Sequence, residues 1–364
     1  MAKGRASGTR STNRVTGAQV AREANVDPAV VSKLLQKNSS VRVSRETRRR
    51  VMDAVDRLGY RPHHAAQRLR SSKIGAIGLV IPDFRNPTFA EIVHGAERAS
   101  HDRGISLFVS SSAESVSTMD LVVELVASDR VDALLVAGGS SDETTRINEY
   151  LVDRGVSFLF LNRQTKRTKR SLFLDDEFAI GLAVDHLAGL GHEKFAAITG
   201  LSSMETGRRR RQGLITALER AGLPCRLGYV VESDYSFPGG QAAFAKIWAL
   251  EDRPTALVVS EFAMGIGALL AARAAGVNVP GDLSIAVFNN LEIASYLTPT
   301  VTTVGLQLSA LGAEGVELLV DRPPGEGINQ TISKPAELFI RDSTGRPPAV
   351  ARRPHRTGGG HGAD

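Results

Sequence analysis

Along the first sixty residues, apolar positions recur at three- and four-residue spacing in three short bursts. The first follows Thr16 and puts Val20 and Ala24 on one face. Thr16-Gly-Ala-Gln19 has the form of a capping box, in which the hydroxyl takes a first-turn N–H and Gln19 reaches back. Asn25 comes where the chain must turn sharply, and asparagine tolerates left-handed backbone better than most residues. The second burst opens on Asp27-Pro28, a cap followed by a proline at the first helical position, and carries Val30, Val31, Leu34 and Leu35. The third opens at Ser44, carries Val51, Val55 and Leu58, and stops at Gly59. Two helices across a short turn, backed by a third, predict a helix-turn-helix domain over residues 15–60. Its apolar positions are needed for the core of so small a unit. Residues 1–14, almost purely Gly, Ser, Thr, Lys and Arg, predict a disordered basic tail.

From residue 74 the pattern changes. Short apolar runs at 74–81, 106–110, 133–137 and 157–161 read as buried parallel strands, with helical stretches at 89–102 and 119–128 between them. The alternation resumes with strands at 195–199, 256–259 and 284–288 and helices at 208–221, 239–250 and 264–275. Repetition over so long a stretch predicts two doubly wound α/β units with a ligand cleft between them. Residues 342–364, rich in Gly, Pro and Arg and without leucine heptads, predict a disordered tail.

Charge sharpens this division. Residues 1–73 hold 17 Lys+Arg and 5 Asp+Glu, a net of +12, whereas the remainder holds 28 and 34, a net of −6. A basic head on a mildly acidic body is the electrostatic pattern of a nucleic-acid binder with a second module. The single cysteine, Cys225, excludes a disulfide framework and a multi-cysteine metal site. No apolar stretch approaches the roughly 18 residues a membrane helix needs, and the basic N-terminus lacks the apolar core of a secretion signal. These features predict a cytoplasmic protein that does not engage a membrane.

The second helix is the candidate for the major groove, entering by its N-terminal residues. Lys33 can donate to guanine O6/N7 or meet a phosphate, and Ser32 can bond either. Pro28 and Ala29 offer only apolar contact, for example to a thymine methyl. Lys37, Arg42 and Arg45, Arg48, Arg49 and Arg50 of the third helix suit phosphates. Thr16, at the start of the first helix, completes the contact set.

The run VTGAQVAREANVDPAVVSKLLQKNSSVRVSRETRRRVMDAVDRLGYRPHHAAQRLRSSKIGAIGLVIPDFRNPTFAEI resembles the start of a lactose/galactose-repressor-type (LacI/GalR) transcription regulator. DHLAGLGHEKFAAITG and PTVTTVGLQLSALG are similar to later patterns of that family, so the resemblance spans residues 15 to about 341. It implies a hinge helix over residues 61–73 that orders when two copies pair on DNA. Leu69 then matches a leucine that wedges into the minor groove and kinks the duplex, and Ala66 a small residue that lets two hinge helices approach. The alternative for this stretch is a flexible basic linker. The resemblance further implies a two-lobed body, residues 74–341, of the periplasmic-binding-protein type, for binding an effector and for dimerisation. Three chain crossings are expected near 162, 290 and 320. It implies a homodimeric repressor on a two-fold double-stranded DNA operator, allosterically controlled by a small molecule such as a sugar or sugar acid.

Carried over position by position, the implied ligand contacts are Phe84, Asn86 and Phe89 after the first strand, Asn162 at a strand end, Arg208 five residues before Gly213-Leu214, and Tyr235. Three departures stand out. Glu261-Phe262 replaces the usual Asn-Asp, Asn289 replaces a carboxylate that binds sugar hydroxyls, and Leu306 replaces a glutamine. Arg208 with fewer facing acids would accept an anion such as a sugar acid or phosphate, while Glu261 would restore the lost charge. Both readings stay open. A solute receptor serving a transporter is the alternative function, and an enzyme is a third. The eight histidines form no HExxH pattern, there is no Gly-x-Ser-x-Gly elbow or phosphate loop, and Gly265-Ile-Gly267 lacks a third glycine. No catalytic residue, metal or cofactor is expected.

Overall fold

The computed structural model describes residues 15–35, 43–60, 74–112, 116–164 and 169–348. The chain divides into two compact units, Met1–Lys73 and Ile74–Asp364.

The first unit contains α1 (Gly17–Glu23), α2 (Pro28–Leu34) and α3 (Arg45–Leu58). Each starts where local chemistry satisfies its orphan amides. Thr16 Oγ1 accepts from Gln19 N at 3.4 Å while Thr16 N donates to Gln19 Oε1 at 2.7 Å, closing the capping box. Asp27 Oδ1 accepts from Ala29 N at 2.7 Å, and Ser44 Oγ from Thr47 N at 3.1 Å. Asn25 turns with φ 50°, and Gly59 closes α3 with φ 62°. Val20, Ala21, Ala24, Val31, Leu34, Val51 and Ala54 form the core. The expectations for the N-terminal tail, for Lys37 and Arg42, and for the hinge with Ala66 and Leu69 lie outside the described residues.

The second unit holds two six-stranded sheets. The first contains β1 (Ala76–Ile81), β2 (Ser106–Ser111), β3 (Ala133–Val136), β4 (Ser157–Leu161), β5 (Arg170–Phe173) and β11 (Ile328–Thr331), in the order β11-β5-β4-β3-β1-β2. The second contains β6 (Phe195–Gly200), β7 (Val230–Ser233), β8 (Ala256–Val259), β9 (Ser284–Phe288), β10 (Thr302–Gly305) and β12 (Glu337–Phe339), in the order β12-β10-β9-β8-β6-β7. All pairings are parallel except β10 with β12. The register Ile77↔Ala133 and Ile198↔Val259 aligns carboxyl ends around each first strand. Helices α4 (Pro87–Asp102), α5 (Thr118–Ala127), α6 (Ser141–Asp153) and α11 (Leu308–Asp321) serve the first sheet. Helices α7 (Asp176–Gly189), α8 (Glu205–Arg220), α9 (Phe237–Trp248) and α10 (Phe262–Ala274) serve the second. β1, β3, β4, β8 and β9 are buried along their whole length, as parallel strands covered on both faces must be.

The crossings between lobes lie elsewhere than the sequence predicts. The chain passes between sheets after β5, after β10 and after β11. The expected points near 162, 290 and 320 fall earlier. One more strand joins the same sheet beyond Asn162 (β5) and beyond Asn290 (β10), and beyond Val320 β11 still joins the first sheet. The predicted tail also starts too early. Ser343 is fully buried, with its Oγ donating to Ile285 O at 2.6 Å, and Gly345 N donates to Ser284 Oγ at 2.9 Å. Residues 342–348 therefore belong to the second lobe, because Ser343 satisfies the backbone of Ile285 and Gly345 the side chain of Ser284 on β9.

Candidate functional site

In the first unit the sequence-nominated DNA contacts are on the surface. Thr16, Pro28, Ala29 and Lys33 are exposed and Ser32 is half-buried, while Val31 and Leu34 on the opposite face of α2 are buried. The N-terminus of α2 thus presents unencumbered side chains beside partly unsatisfied amides, the end that enters a major groove in helix-turn-helix proteins. Arg45, Arg48, Arg49 and Arg50 are exposed on α3.

The second unit carries a cleft of about 250 Å³ between its lobes. Both sheets have the order in which strand one lies between strands two and three, so each has a switch point where loops diverge and leave a crevice. The loops after β1, β3 and β4 face those after β6, β7, β8 and β9 across it. Asn86, Phe89, Asn162, Tyr235, Glu261 and Asn289, six of the sequence-nominated residues, line the cleft together. Of the five non-glycine residues with positive φ among those described, three are here: Asn162 at 51°, Tyr235 at 66° and Asn289 at 72°. Left-handed backbone turns these side chains off the strand ends into the crevice, and such strain concentrates at functional sites. Tyr235 also needs a glycine opposite. A Cβ on Gly200 would stand 1.8 Å from the phenol oxygen.

Two nominated residues are elsewhere. Phe84 is 60% exposed and does not line the cleft. Arg208 lies on the rim, where Nη1 donates to Ser202 O at 2.9 Å, Nη2 to Ser141 Oγ at 3.2 Å, and the side chain pairs with Glu205. It ties α8 to the start of α6 and so fastens one lobe to the other. The arginine that enters is Arg210, two residues on. It is 5% exposed, with Nε donating to Asp176 Oδ1 at 2.8 Å and Nη1 to Ser260 O at 2.5 Å, and its guanidinium lies 5.3 Å from the centre of the Phe288 ring. Helical phase explains the difference. Buried Thr206, Gly207, Gly213, Leu214 and Ala217 share one face of α8, and Arg210 falls on that face.

Charge is concentrated at the deep end. Asp176 also receives Arg209, whose Nη2 donates to Asp176 Oδ2 and to Asn162 Oδ1, each at 2.6 Å. Burial would push the Asp176 carboxyl up, but the Arg210 and Arg209 guanidiniums outweigh it and hold it below the usual carboxylate range. Glu261 caps α10, accepting from Ala263 N at 2.7 Å and Met264 N at 3.3 Å, and takes a hydrogen bond from Thr88 Oγ1 at 2.7 Å. Burial pushes its carboxyl up, and those hydrogen bonds only partly counter it. Asn289 Nδ2 donates to Thr88 Oγ1 at 3.1 Å, while Oδ1 is sealed from solvent without a partner. Sequence reasoning missed Thr88, Arg163, Thr206 and Asp234, all of which line the cleft. Arg163 directly follows Asn162 at a strand's carboxyl end, the one signal that could have marked it. Leu306, which replaces the expected glutamine, is buried outside the cleft.

Among the described residues no cluster of three or more His, Cys, Asp or Glu is disposed to hold a metal ion, and no helix is long and apolar enough to cross a membrane.

A groove-sized helix on one unit and a two-lobed ligand cleft on the other define a transcription regulator with a DNA-binding head and an effector-binding body. Comparison with known proteins gives the same division. Residues 18–63 match the family of bacterial regulatory proteins of the lacI type, and residues 184–344 match a periplasmic binding protein-like domain. The chain is 30% identical to catabolite control protein A of Priestia megaterium over 91% of this chain and 99% of that protein. It is likewise 30% identical to the HTH-type transcriptional repressor PurR of Mannheimia succiniciproducens, over 89% and 97%. Among solved structures it resembles the lac repressor dimer bound to operator and an anti-inducer, with a TM-score of 0.80 at 26% identity over 92% of this chain and 100% of that one. The chain belongs to the LacI/GalR family of bacterial transcriptional regulators. It is a DNA-binding regulator with an effector-binding C-terminal domain.

Proposed function

We propose that the protein represses transcription as a homodimer on a two-fold operator, and that a small molecule in the cleft sets its affinity for DNA. One observation carries this reading. Arg210, buried against Asp176, and Asn289, whose Oδ1 is sealed without a partner, both line a cleft whose walls come from both lobes. A ligand bonding Arg210 and Asn289 on one side and packing on Asn86 and Phe89 on the other favours one lobe orientation over another. Such unequal binding is what shifting an equilibrium requires. Thr16, Pro28, Ala29, Ser32, Lys33 and Lys37 are assigned to operator contact, and Ala66 and Leu69 to the hinge that the family resemblance implies. The ligand set is Asn86, Phe89, Asn162, Arg210, Tyr235, Glu261 and Asn289, and a sugar or sugar acid suits its hydroxyl-seeking amides. Arg208 is assigned to closing the rim.

For the dimer, the exposed apolar residues Leu270, Ile293 and Tyr296 support a self-complementary surface on the second lobe, beside a depression of about 470 Å³. The lac repressor relative was solved as a dimer on its operator, and another, CelR, as a cellobiose complex. A transporter receptor has no use for a helix-turn-helix unit, which disfavours that alternative. The test is fluorescence anisotropy of a labelled two-fold duplex with the full chain while neutral sugars and sugar acids are added. One of them should shift operator affinity by roughly 5- to 150-fold. Arg210→Ala should abolish the shift and keep operator affinity. A ligand bound in the cleft that leaves operator affinity unchanged contradicts the coupling.

A further inference from the structure

Arg163, Arg209 and Arg210 stand at or beside the cleft, and among the described residues only Asp176 is ion-paired with any of them. Asp176 serves both Arg209 and Arg210. Arg163, which lines the same cleft, has no carboxylate within ion-pairing distance among the described residues. Its Nη1 donates to Asn162 O at 2.9 Å, and its Nε is sealed from solvent with no partner. Burial draws its guanidinium below the ordinary arginine value, with the like charges of Arg209 and Arg210 acting in the same direction and Tyr235 and Asp176 opposing it. Arginine nevertheless stays protonated in proteins, so the charge persists without an ion-pair partner among the described residues.

Other groups nearby share this incompleteness. Arg209 Nη1 is sealed and unpartnered among the described residues. The one orphan acceptor among the buried cleft residues is Asn289 Oδ1. Leaving a buried donor unmade costs about 1–3 kcal/mol, more for a charged group. Three further carboxylates line the cleft, and none is ion-paired to Arg163 among the described residues. Asp83 at the mouth is engaged by Arg85, and Asp234 is exposed and accepts from Ser236 Oγ at 2.6 Å. Glu261 is occupied by Thr88 and two backbone amides.

We infer that the effector carries an oxyanion, a carboxylate or phosphate ester, which Arg163 and Arg210 hold at one end while Asn289 Oδ1 takes a hydroxyl at the other. This rests on the cleft being the effector site. A cavity of about 250 Å³ limits such a ligand to about one ring or an open chain of similar size. A planar fork of N–H donors matches the paired oxygens of either anion. Phe89, Ile92, Leu161 and Leu308 line the remaining wall and suit the carbon skeleton.

The experiment is calorimetric titration of the full chain at constant ionic strength with glucose 6-phosphate, gluconate, inorganic phosphate and glucose. The two organic anions separate phosphate from carboxylate recognition, and inorganic phosphate separates the anion from its carbon skeleton. At least one anion should bind ten-fold or more tighter than glucose. Arg163→Met should weaken that anion ten-fold or more and leave glucose unchanged, while Arg163→Lys restores part of the loss. In the ligand-free protein, Arg163→Met should also raise Tm by roughly 2–4 °C, since it removes a charge without an ion-pair partner. A merely structural arginine would lower Tm on removal. Glucose binding as tightly as every anion, no anion binding at all, or anion binding indifferent to Arg163→Met overturns the inference. Tight binding of glucose that still shifts operator affinity would leave the regulator reading standing, whereas an anion that binds through Arg163 without changing operator affinity would refute that reading alone.

Discussion

At the scale of single residues, the cleft depends on one carboxylate. Asp176 is almost fully buried and carries two guanidiniums, so removing its charge strands Arg209 and Arg210 in a low-dielectric site. Breaking a buried pair from one side costs about 3–5 kcal/mol, and Asp176→Asn should cost about that much in urea unfolding of the full chain. A loss below about 1 kcal/mol would mean that water reaches the pair. How legible these residues were depended on what each one's position reports. Asn162 could be nominated because it ends a predicted strand, whereas Tyr235 and Asn289 came from the position-by-position family resemblance. Within the run Arg208 to Arg211, identity says nothing about direction, and only the phase set by Gly213, Leu214 and Ala217 separates the arginine that enters from the one on the rim. Arg163 was legible only as the residue after Asn162 at a strand end, because its lack of an ion-pair partner among the described residues is a property of the folded cleft.

At the scale of elements, the close approach of α4 and α11 holds the first lobe's side of the cleft. A Cβ on Gly95 would lie 1.8 Å from Ser309 O, a backbone atom that cannot swing away. Gly95→Ala should therefore cost about 1–3 kcal/mol, despite alanine's higher helix propensity, and thermal unfolding would register it. A neutral or stabilising effect would show that the helices slide apart freely. Local chemistry announced the short helices well. Thr16 with Gln19, Asp27 with Pro28, and Ser44 with Gly59 mark ends that the structure keeps within a residue. The lobe crossings were harder, because the chain joins each sheet for one more strand than a polar strand end implies. Nothing in residues 162–173 states which sheet edge β5 will join. The segment at 342–348 was hidden for a related reason. Its Gly, Ser and Pro read as loop, and only the start of β9, before its pairing with β10 begins, and the hydroxyl of Ser284 give it a place.

At the scale of the whole molecule, two features make stability and binding depend on solution conditions. His192 is buried, with Nδ1 on Thr255 Oγ1 at 2.9 Å and Nε2 near Ser284 Oγ at 3.0 Å and Gly345 O at 2.9 Å. Burial is the main cause pulling its imidazole below the usual histidine value, against the hydrogen bond to Gly345. The unfolded chain then binds the proton more readily than the folded one. Stability is full above about pH 6.5 and falls as the pH drops from there toward the folded value. Tm of the full chain should decline from pH 7 to pH 5, and His192→Gln should flatten the decline; an unchanged slope would assign it to other groups.

The second feature is the division of charge, +12 over residues 1–73 against −6 elsewhere, which directs nucleic acid to the head. The most direct test of the regulator reading is the affinity of the full chain for a genomic two-fold duplex selected by binding, set against a scrambled duplex across a salt series. The account predicts that the selected site binds roughly 10³-fold tighter or more, that both affinities fall linearly on a log–log plot against salt, and that Lys33→Ala weakens binding of the selected site. Equal affinity for the two duplexes, or binding indifferent to salt, would contradict it.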